Sequence, residues 1–530
     1  MWRPAELRPF GLKAWRGAER LFDAAFGSCL NPLRHLGAIG LLAFWLLAGS
    51  GVVLYALFDT SVQGAYRSVQ ALDAVPLGLG RLLRGLHRYS ADLLVVVMGL
   101  HLLREWLHGH ERGFRRFSWL TGVPLIVFVF VAAIGGFWLN WDQLGQFSAM
   151  ASAEWIDALP LLATPMARNF LTVDAVSDRL FSLFVFVHIG VPLLLLFGLW
   201  FHVQRITRAA VLPPRPLLLG TVATLVLLAL VQPVTSHAPA ALAQVPAELR
   251  LDWLLQFVHP LSYATSAAFT WVLVGAALLL LLVLPWLPAR HDSPAPEVAR
   301  VDPANCNGCR RCFDDCPYAA VTMAPHPNQR IGRLLAVVDA DLCAGCGICA
   351  GACPSSTPFR TAAALVTGID MPQRPVGTLR ARLRQALTAQ RSAGTTHPLV
   401  VFGCDHGAPT GQVVAADTSH FGLLCAGQLP PSFVEYALRD GAAGVLVAAC
   451  RQGGCEFRLG ERWTAERLQG LREPHLRAHV PVARLELVHA GPGDEVLLAA
   501  ALQRLRTRVQ ALGSVDAAPA PGKAAGLHHA

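Results

Sequence analysis

Four histidines set inside apolar runs carry the first chemistry legible in this chain: His87 with His101, and His188 with His202, the members of each pair 14 residues apart. That spacing is nearly four helical turns, so both imidazoles of a pair leave one face of a helix, about 21 Å apart along its axis. Ionisable side chains in lipid are costly, and two helices carrying them at one matched spacing call for a function. Axial ligation of two stacked haem irons by paired imidazoles supplies one. The competing reading, four histidines satisfied separately by backbone carbonyls or at helix ends, leaves the doubled spacing unexplained.

Cysteines carry the second chemistry. Of 13, Cys29 stands alone, eight lie between Cys306 and Cys353, and four between Cys404 and Cys455. Short clustered spacings indicate metal ligation in a reducing compartment, not a secreted disulfide framework. Cys306, Cys309, Cys312 and Cys316-Pro317 repeat as Cys343, Cys346, Cys349 and Cys353-Pro354. This doubled run is the signature of a bacterial two-cluster ferredoxin, in which the fourth cysteine of each run ligates the other cluster. By that crossing Cys306, Cys309, Cys312 and Cys353 hold one 4Fe-4S cube, and Cys343, Cys346, Cys349 and Cys316 the other. Zinc also takes thiolate quartets, but a doubled run has no advantage for a tetrahedral ion. Cys404, Cys425, Cys450 and Cys455 fall at or near the ends of expected strands and loops, where four thiolates would hold a 2Fe-2S cluster. Free thiols or a structural zinc are the alternatives there. No Cys-x-x-Cys-His occurs, so covalent haem attachment is not signalled.

The elements that must position these groups divide the chain in two. With 54% hydrophobic and 15% charged residues, the composition exceeds what a soluble core needs and indicates a membrane protein with soluble additions. Apolar runs of spanning length occur near 36 to 58, 84 to 107, 117 to 139, 180 to 204, 213 to 233 and 263 to 287, predicting six helices. The net charge of +9 follows membrane topology and is not gathered into a patch for nucleic acid. Segments 1 to 34, 104 to 116 and 205 to 215 hold 6, 4 and 3 Arg or Lys, against 2, 2 and 1 in segments 59 to 83, 140 to 179 and 234 to 250. That asymmetry predicts a cytoplasmic N-terminus and a cytoplasmic chain after the sixth helix. His87 and His188 then share the outer depth, and His101 and His202 the inner one. The polar, Arg-rich start carries no recognisable removable signal peptide. Gly37 and Gly51, and Gly122 and Gly136, repeat the 14-residue period, which suits helices packed around two macrocycles; ordinary small-residue packing is the alternative. Arg88 and Arg104 are placed to neutralise haem propionates, or to anchor the helices at the interface.

The stretch from about 31 to 208 resembles the cytochrome b of the quinol-oxidising cytochrome bc and plastoquinol complexes, through SVQALD, RGLHRYSAD, GLHLLREW, WLTGVPL, GGFWLNWDQLG and the second histidine pair. The resemblance implies a di-haem four-helix domain over 1–208, pairing of His87 with His188 and of His101 with His202, and a homodimer. Asn140 stands where that family usually has a proline before Trp-Asp-Gln. His35 stands where some relatives carry a haem-bearing cysteine, with Cys29 near but out of register. The two further helices of 209–288 resemble the partner subunit of the plastoquinol complexes more weakly. For that subunit's Pro-Glu-Trp-Tyr motif at the outer quinol site, this chain has Leu251-Asp252-Trp253-Leu254, making Asp252 the candidate proton acceptor or, alternatively, an interfacial acid.

After a linker at 289–302, the doubled cysteine run predicts a small pseudo-symmetric α+β module over 303–357. A connector, 358–396, contains an Arg-rich amphipathic helix near 376 to 390, expected to be solvated or partner-facing. Over 397–511, strand-like runs at 398 to 402 and 443 to 449 flank a helix near 431 to 440, predicting a small α/β domain. There VVFGCDHG and LLCAGQLPPSFVEYALRDGAAGVLVAACRQGGC resemble the delta-subunit family of methyl-viologen-reducing hydrogenases. The resemblance implies electron transfer with a flavoprotein of the heterodisulfide-reductase type. Where that family commonly has a second cysteine this chain has Gly407, with His406 a substitute ligand. The tail, 512–530, is rich in Ala, Pro and Gly and is expected to be disordered.

Together these readings predict a bacterial inner-membrane subunit. It would pass electrons between the quinone pool and a cytoplasmic flavin-type oxidoreductase, through two b haems, two 4Fe-4S clusters and one 2Fe-2S cluster. The alternative is a noncatalytic anchor or redox sensor. A haem-binding transporter is disfavoured, because no Gly- or Pro-broken helix pair occurs in matched halves. No dinucleotide fingerprint is present, which assigns nucleotide chemistry to a partner.

Overall fold

The computed structural model describes residues 4–159, 171–172, 175–244, 248–287, 297–327, 333–354, 365–413 and 415–512. Most of the expected linker, the start of the connector and nearly all of the expected tail lie outside the described residues. Two compact units form: residues 1–205 with 209–291, and residues 206–208 with 292–530.

The first unit is helical. Its elements are α1 (Pro4–Phe26), α2 (Leu36–Ala56), α3 (Leu79–Leu107), α4 (Arg116–Asn140), α5 (Gln143–Asp157), α6 (Asp178–Val203), α7 (Arg215–Val231), α8 (Val258–Ala264) and α9 (Ala267–Val283). Four helical stretches, Leu36–Ala56, Gly113–Asn140, Asp178–Val203 and Ala267–Trp286, are long and apolar enough to cross a membrane. Of the other two expected spans, α7 is apolar but only 17 residues long. The other, α3, runs for 29 residues but carries Arg84, Arg88, Asp92, Arg104 and Glu105. Helix α2 packs along α3, and α4 along α6, with α7 against α3. Many outward side chains of α6 and α9 are exposed and apolar, Phe186, Phe197, Val272 and Leu279 among them, as a lipid-facing surface requires.

The turn after α4 shows how local polarity fixes this unit. Trp141 closes α4 in the left-handed region, with φ 44°, and its ring lies edge-on to Phe181 at 4.9 Å. Asp142 caps α5 by accepting from Gly145 N at 2.8 Å, and also accepts from His237 N at 2.9 Å. Asn140, in the position of the family's proline, donates to Asp142 Oδ2 at 2.5 Å. A single buried carboxylate therefore terminates one helix, starts the next and ties in a segment some 95 positions away.

The second unit begins with the cysteine repeats. Strand β1 (Arg300–Val301), helix α10 (Arg311–Asp315), the antiparallel pair β2 (Val321–Pro325) and β3 (Leu334–Val338), helix α11 (Ile348–Ala352) and β4 (Ile369–Asp370) form one small layer, with β1 antiparallel to β4. Next come α12 (Val376–Ser392), β5 (Leu399–Cys404), β6 (Thr418–Leu423), α13 (Ser432–Arg439), β7 (Gly444–Ala449), α14 (Gly460–Leu468), β8 (Leu485–His489) and α15 (Glu495–Leu512). The sheet is parallel in the order β6-β5-β7-β8, and β5 and β7 are buried along their whole length, as expected of central parallel strands. Val376, Leu379, Leu383 and Leu387 of α12, at helical spacing, are buried in the core on one face of the sheet. The connector helix expected at a solvated or partner-facing position is thus packed on this domain. Leu498, Leu502 and Leu505 of α15 fill the other face.

A buried ion network joins the cysteine-repeat layer to the sheet domain. Arg467 on α14, 1% exposed, donates to Asp315 Oδ2 at 2.5 Å and to Gly427 O at 2.8 Å, and Arg472 pairs with the other oxygen of Asp315. Removing one partner of such a pair leaves a desolvated charge. Asp315→Ala is therefore expected to cost about 3–5 kcal/mol. Hydrogen exchange on the intact protein should show the loss as lowered protection in both α10 and α14.

Candidate functional site

In the membrane unit all four spaced histidines face inward in two pairs. The His87 and His188 ring centres are 6.2 Å apart. An iron bonded to one nitrogen of each ring at about 2 Å, with each ring centre about 1.2 Å behind its nitrogen, holds the centres roughly 6.3 Å apart, so this pair fits a shared axial position. His101 and His202 are likewise within electrostatic reach of each other.

Their hydrogen bonds decide which nitrogen is offered. The Ser50 hydroxyl donates to Leu46 O at 2.6 Å and stands 3.0 Å from His87 Nδ1. A hydroxyl has one proton, so Ser50 accepts from His87 Nδ1–H, and Nε2 is left as the bare lone pair. Thr121 repeats the arrangement, donating to Phe117 O at 2.8 Å and accepting from His202 Nδ1 at 3.2 Å. His188 Nδ1 donates to Ala132 O at 2.9 Å, and His101 Nδ1 faces Glu105 at 4.0 Å. Outer contacts of this kind orient a ligating imidazole and raise its basicity. The sequence reading missed Ser50 and Thr121, although a shared signal existed: each immediately precedes one of the periodic glycines.

Those glycines lie against the imidazoles themselves. A Cβ on Gly37 would stand 3.7 Å from His101 Cε1, on Gly51 3.2 Å from His87, on Gly122 3.2 Å from His202 and on Gly136 2.9 Å from His188. The missing side chains make room for the ligand rings. Of the two arginines, Arg88 pairs with Asp92 and with Asp252, and Arg104 donates to Glu105 at 2.8 Å. Asp252 is further occupied as a turn cap, accepting from Leu254 N at 3.0 Å and Leu255 N at 2.7 Å. His35 Nε2 lies 2.9 Å from Cys29 O.

In the second unit the crossing of the cysteine runs appears as geometry. Cys306, Cys309, Cys312 and Cys353 line one cavity, together with Gly308 and Gly368. Cys316, Cys343, Cys346 and Cys349 form the other group. Both loops turn by left-handed residues at matching places, Gly308 and Arg310 in the first and Gly345 and Gly347 in the second. Such turns aim successive backbone N–H groups at a bound anionic cluster. Burial pushes the Cys312 thiol up to about 12 and raises Cys346 and Cys349 as well, so these sulfurs become thiolates only when a cation compensates.

The last quartet sits at the carboxyl ends of the parallel strands, where open α/β sheets place their ligands. Cys404 ends β5, Cys425 follows β6, and Cys450 follows β7 at 3.4 Å from Cys404, sulfur to sulfur. Cys455 completes the group from the loop before α14. Thiols of Cys425 and Cys450 donating to Cys404 lower its pKa, and the same contacts raise theirs. The four sulfurs therefore lie within hydrogen-bonding reach of one another as one group. His406 stands edge-on to Phe457 at 5.1 Å. The group of Cys316, Cys343, Cys346 and Cys349 adjoins this quartet, because Gly351, Gly427 and Gly460 allow close approach: a Cβ on Gly351 would lie 2.0 Å from Gly427 O, and one on Gly427 would lie 2.9 Å from Ile348. Cys346 of one group is in electrostatic reach of Cys455 of the other.

Comparison with known proteins agrees with this division. Residues 21–210 match the cytochrome b/b6/petB family model, residues 305–357 the 4Fe-4S dicluster domain, and residues 412–513 the methyl-viologen-reducing hydrogenase delta subunit. The three family models match one after another along the chain. Its cytochrome b region implies b-type haem, its dicluster region 4Fe-4S chemistry, and the whole a multi-pass membrane electron-transfer subunit. Among solved structures, one titled "Hyperthermophilic respiratory Complex III" aligns at 21% identity with a TM-score of 0.41, over 48% of this chain and 75% of that one.

Proposed function

We propose that this chain links the quinone pool to a cytoplasmic flavin-type oxidoreductase. The observation that carries the reading is the presence in one chain of two histidine pairs in the membrane unit and three cysteine quartets in the second unit, the last two of them adjoining. Two b haems, two 4Fe-4S cubes and one 2Fe-2S cluster would occupy them, with Nε2 of His87, His188, His101 and His202 on the irons. Bound haem supplies reversible one-electron chemistry at the depth of the histidines. The protein's own part is to fix the imidazole tautomers through Ser50, Thr121 and Ala132, and to hold the sulfurs in groups. The second unit is assigned to the cytoplasmic side by the arginine and lysine asymmetry, and a homodimer follows from the cytochrome b resemblance.

Electrons run from the soluble partner toward quinone, because ferredoxin-type clusters ordinarily lie well below b-type haems in potential. A membrane potential negative inside assists that outward movement. The test uses intact detergent-purified protein. Cofactor analysis should return two b haems and about ten cluster irons per chain. Chemically reduced clusters should reduce the haems, and added quinone should reoxidise them. Haems that respond to neither clusters nor quinone would leave only an anchor or sensor.

A further inference from the structure

The two halves of the cysteine repeat differ systematically on one face. In the second loop the residues that follow Cys346 on this face are Gly347, Ile348, Ala350 and Gly351, all small or apolar. They are covered by the α/β domain: a Cβ on Gly347 would lie 2.9 Å from Gln428 Cγ, and Ile348 packs against Gly427 and Gly460. The matching residues of the first loop, after Cys309, are Arg310, Arg311, Phe313 and Asp314. Here the face is open. Cys309, Arg310 and Asp314 are exposed, and the Phe313 ring is 44% exposed where its counterpart Ala350 is 0%.

Pseudo-symmetry gives the open face its meaning. On the second loop this face brings Cys346 into electrostatic reach of Cys455, a member of a separate cysteine quartet. The same face of the first loop turns Cys309 toward solvent, where the edge of a bound cluster can exchange electrons with an outside centre. Arg310 points the same way. It holds φ 65°, in the left-handed region that its counterpart Gly347 occupies at 75° without a side chain to strain. A long cationic residue in place of glycine disfavours the loop, and no internal contact accounts for it. Among the described residues Arg310 makes no ion pair, whereas Arg311 beside it pairs with Glu473 at 3.3 Å. An exposed aromatic ring beside an uncommitted guanidinium has the composition found at the centre of protein interfaces. Glycine and small apolar residues suit the permanent burial of the second loop; the mixed, wettable face of the first suits a partner that comes and goes.

We propose that the face of Cys309, Arg310 and Phe313 docks a second soluble redox partner, a small acidic iron-sulfur carrier protein. Carboxylates around the carrier's own cluster meet Arg310, and its apolar edge meets Phe313. A carrier of the ferredoxin type matches the potential range of a 4Fe-4S cube. One electron leaves the reduced carrier and enters the oxidised cube of Cys306, Cys309, Cys312 and Cys353; no proton moves and no bond is made or broken. This entry is separate from that of the flavin-type partner, which the quartet with Cys455 serves. The inference rests on the 4Fe-4S reading given above and adds to it a second partner and the surface that receives it.

The experiment is calorimetric titration of the intact detergent-purified protein with an acidic two-iron ferredoxin, both oxidised so that no electron moves. The wild type should bind it, and added salt should weaken the complex. Arg310→Glu should weaken binding by about tenfold, and Arg310→Gly, which restores the residue of the matching loop, by about fivefold. Arg382→Glu, which alters an exposed arginine of α12, should bind as the wild type does. Each variant should keep the roughly eight irons of the two cubes, and Arg310→Gly serves where Arg310→Glu does not. On rapid mixing with reduced ferredoxin, the electron paramagnetic resonance signal of a reduced cube should rise in the wild type and more slowly in both Arg310 variants. A wild type that has its cubes and binds no ferredoxin overturns the proposal. So does undiminished binding by both Arg310 variants, or an equal loss in Arg382→Glu. A wild type without the eight irons overturns the cluster reading itself, and this proposal with it.

Discussion

Replacing His87 with alanine is expected to remove one b haem and leave the other, so that the haem content of the purified protein falls by about half. The expectation follows from the 6.2 Å approach of His87 to His188 and from the helical distance of about 21 Å that separates this pair from the next. His188→Ala should remove the same haem, and His101→Ala or His202→Ala the other. Combining His87→Ala with His188→Ala should therefore lose no more than either alone, whereas His87→Ala with His202→Ala should lose both. Pyridine haemochrome analysis with low-temperature spectra of the α-band checks each case. The glycines extend the argument: Gly136→Ala, whose methyl would meet His188 at 2.9 Å, should perturb its haem more than Gly37→Ala, which meets His101 at an ordinary 3.7 Å. Single losses that reached both haems equally would dissolve the pairing.

The second large effect is expected at Gly460. A methyl group there would lie 2.0 Å from Cys425 Sγ and 3.3 Å from Cys455 Sγ. Helix α14 has little freedom to retreat, since Trp463 is fully buried and Arg467 is held by Asp315 and Gly427. Overpacking of this kind costs about 1–3 kcal/mol in an ordinary core, and here the atoms displaced are the sulfurs proposed to hold the third centre. Gly460→Ala should therefore lose the third centre, about two of the ten or so irons, and retain the haems and both cubes. Transfer from the soluble partner should stop while cluster-to-haem transfer continues. Gly411→Ala, where a Cβ meets nothing within 4 Å, is the control expected to change neither. Iron analysis and electron paramagnetic resonance of the reduced protein read the result.

Strands β5 and β7 and helix α13 were legible as apolar or amphipathic runs, and they fall within two residues of their expected ends. The outer strands β6 and β8 were not, because Thr418–Leu423 and Leu485–His489 interleave polar with apolar residues and offer no continuous hydrophobic signal. The connector helix was legible as a helix, but its place against the sheet was not, since a leucine stripe does not say which surface it meets.

What the sequence by itself determined are the spacing of the histidine pairs and the grouping of the repeated cysteines, because a helix repeats at fixed rise and a short loop closes within a dozen residues; both spacings are local geometry written directly in residue number. Tertiary structure alone decided the state and use of individual groups. Asp252 is engaged by Arg88 from 164 positions away, His202 is oriented by Thr121 across 81, and Ser50 orients His87 across 37. Hydrogen bonds between distant segments assign each proton and each lone pair, and no local pattern encodes which segments will meet.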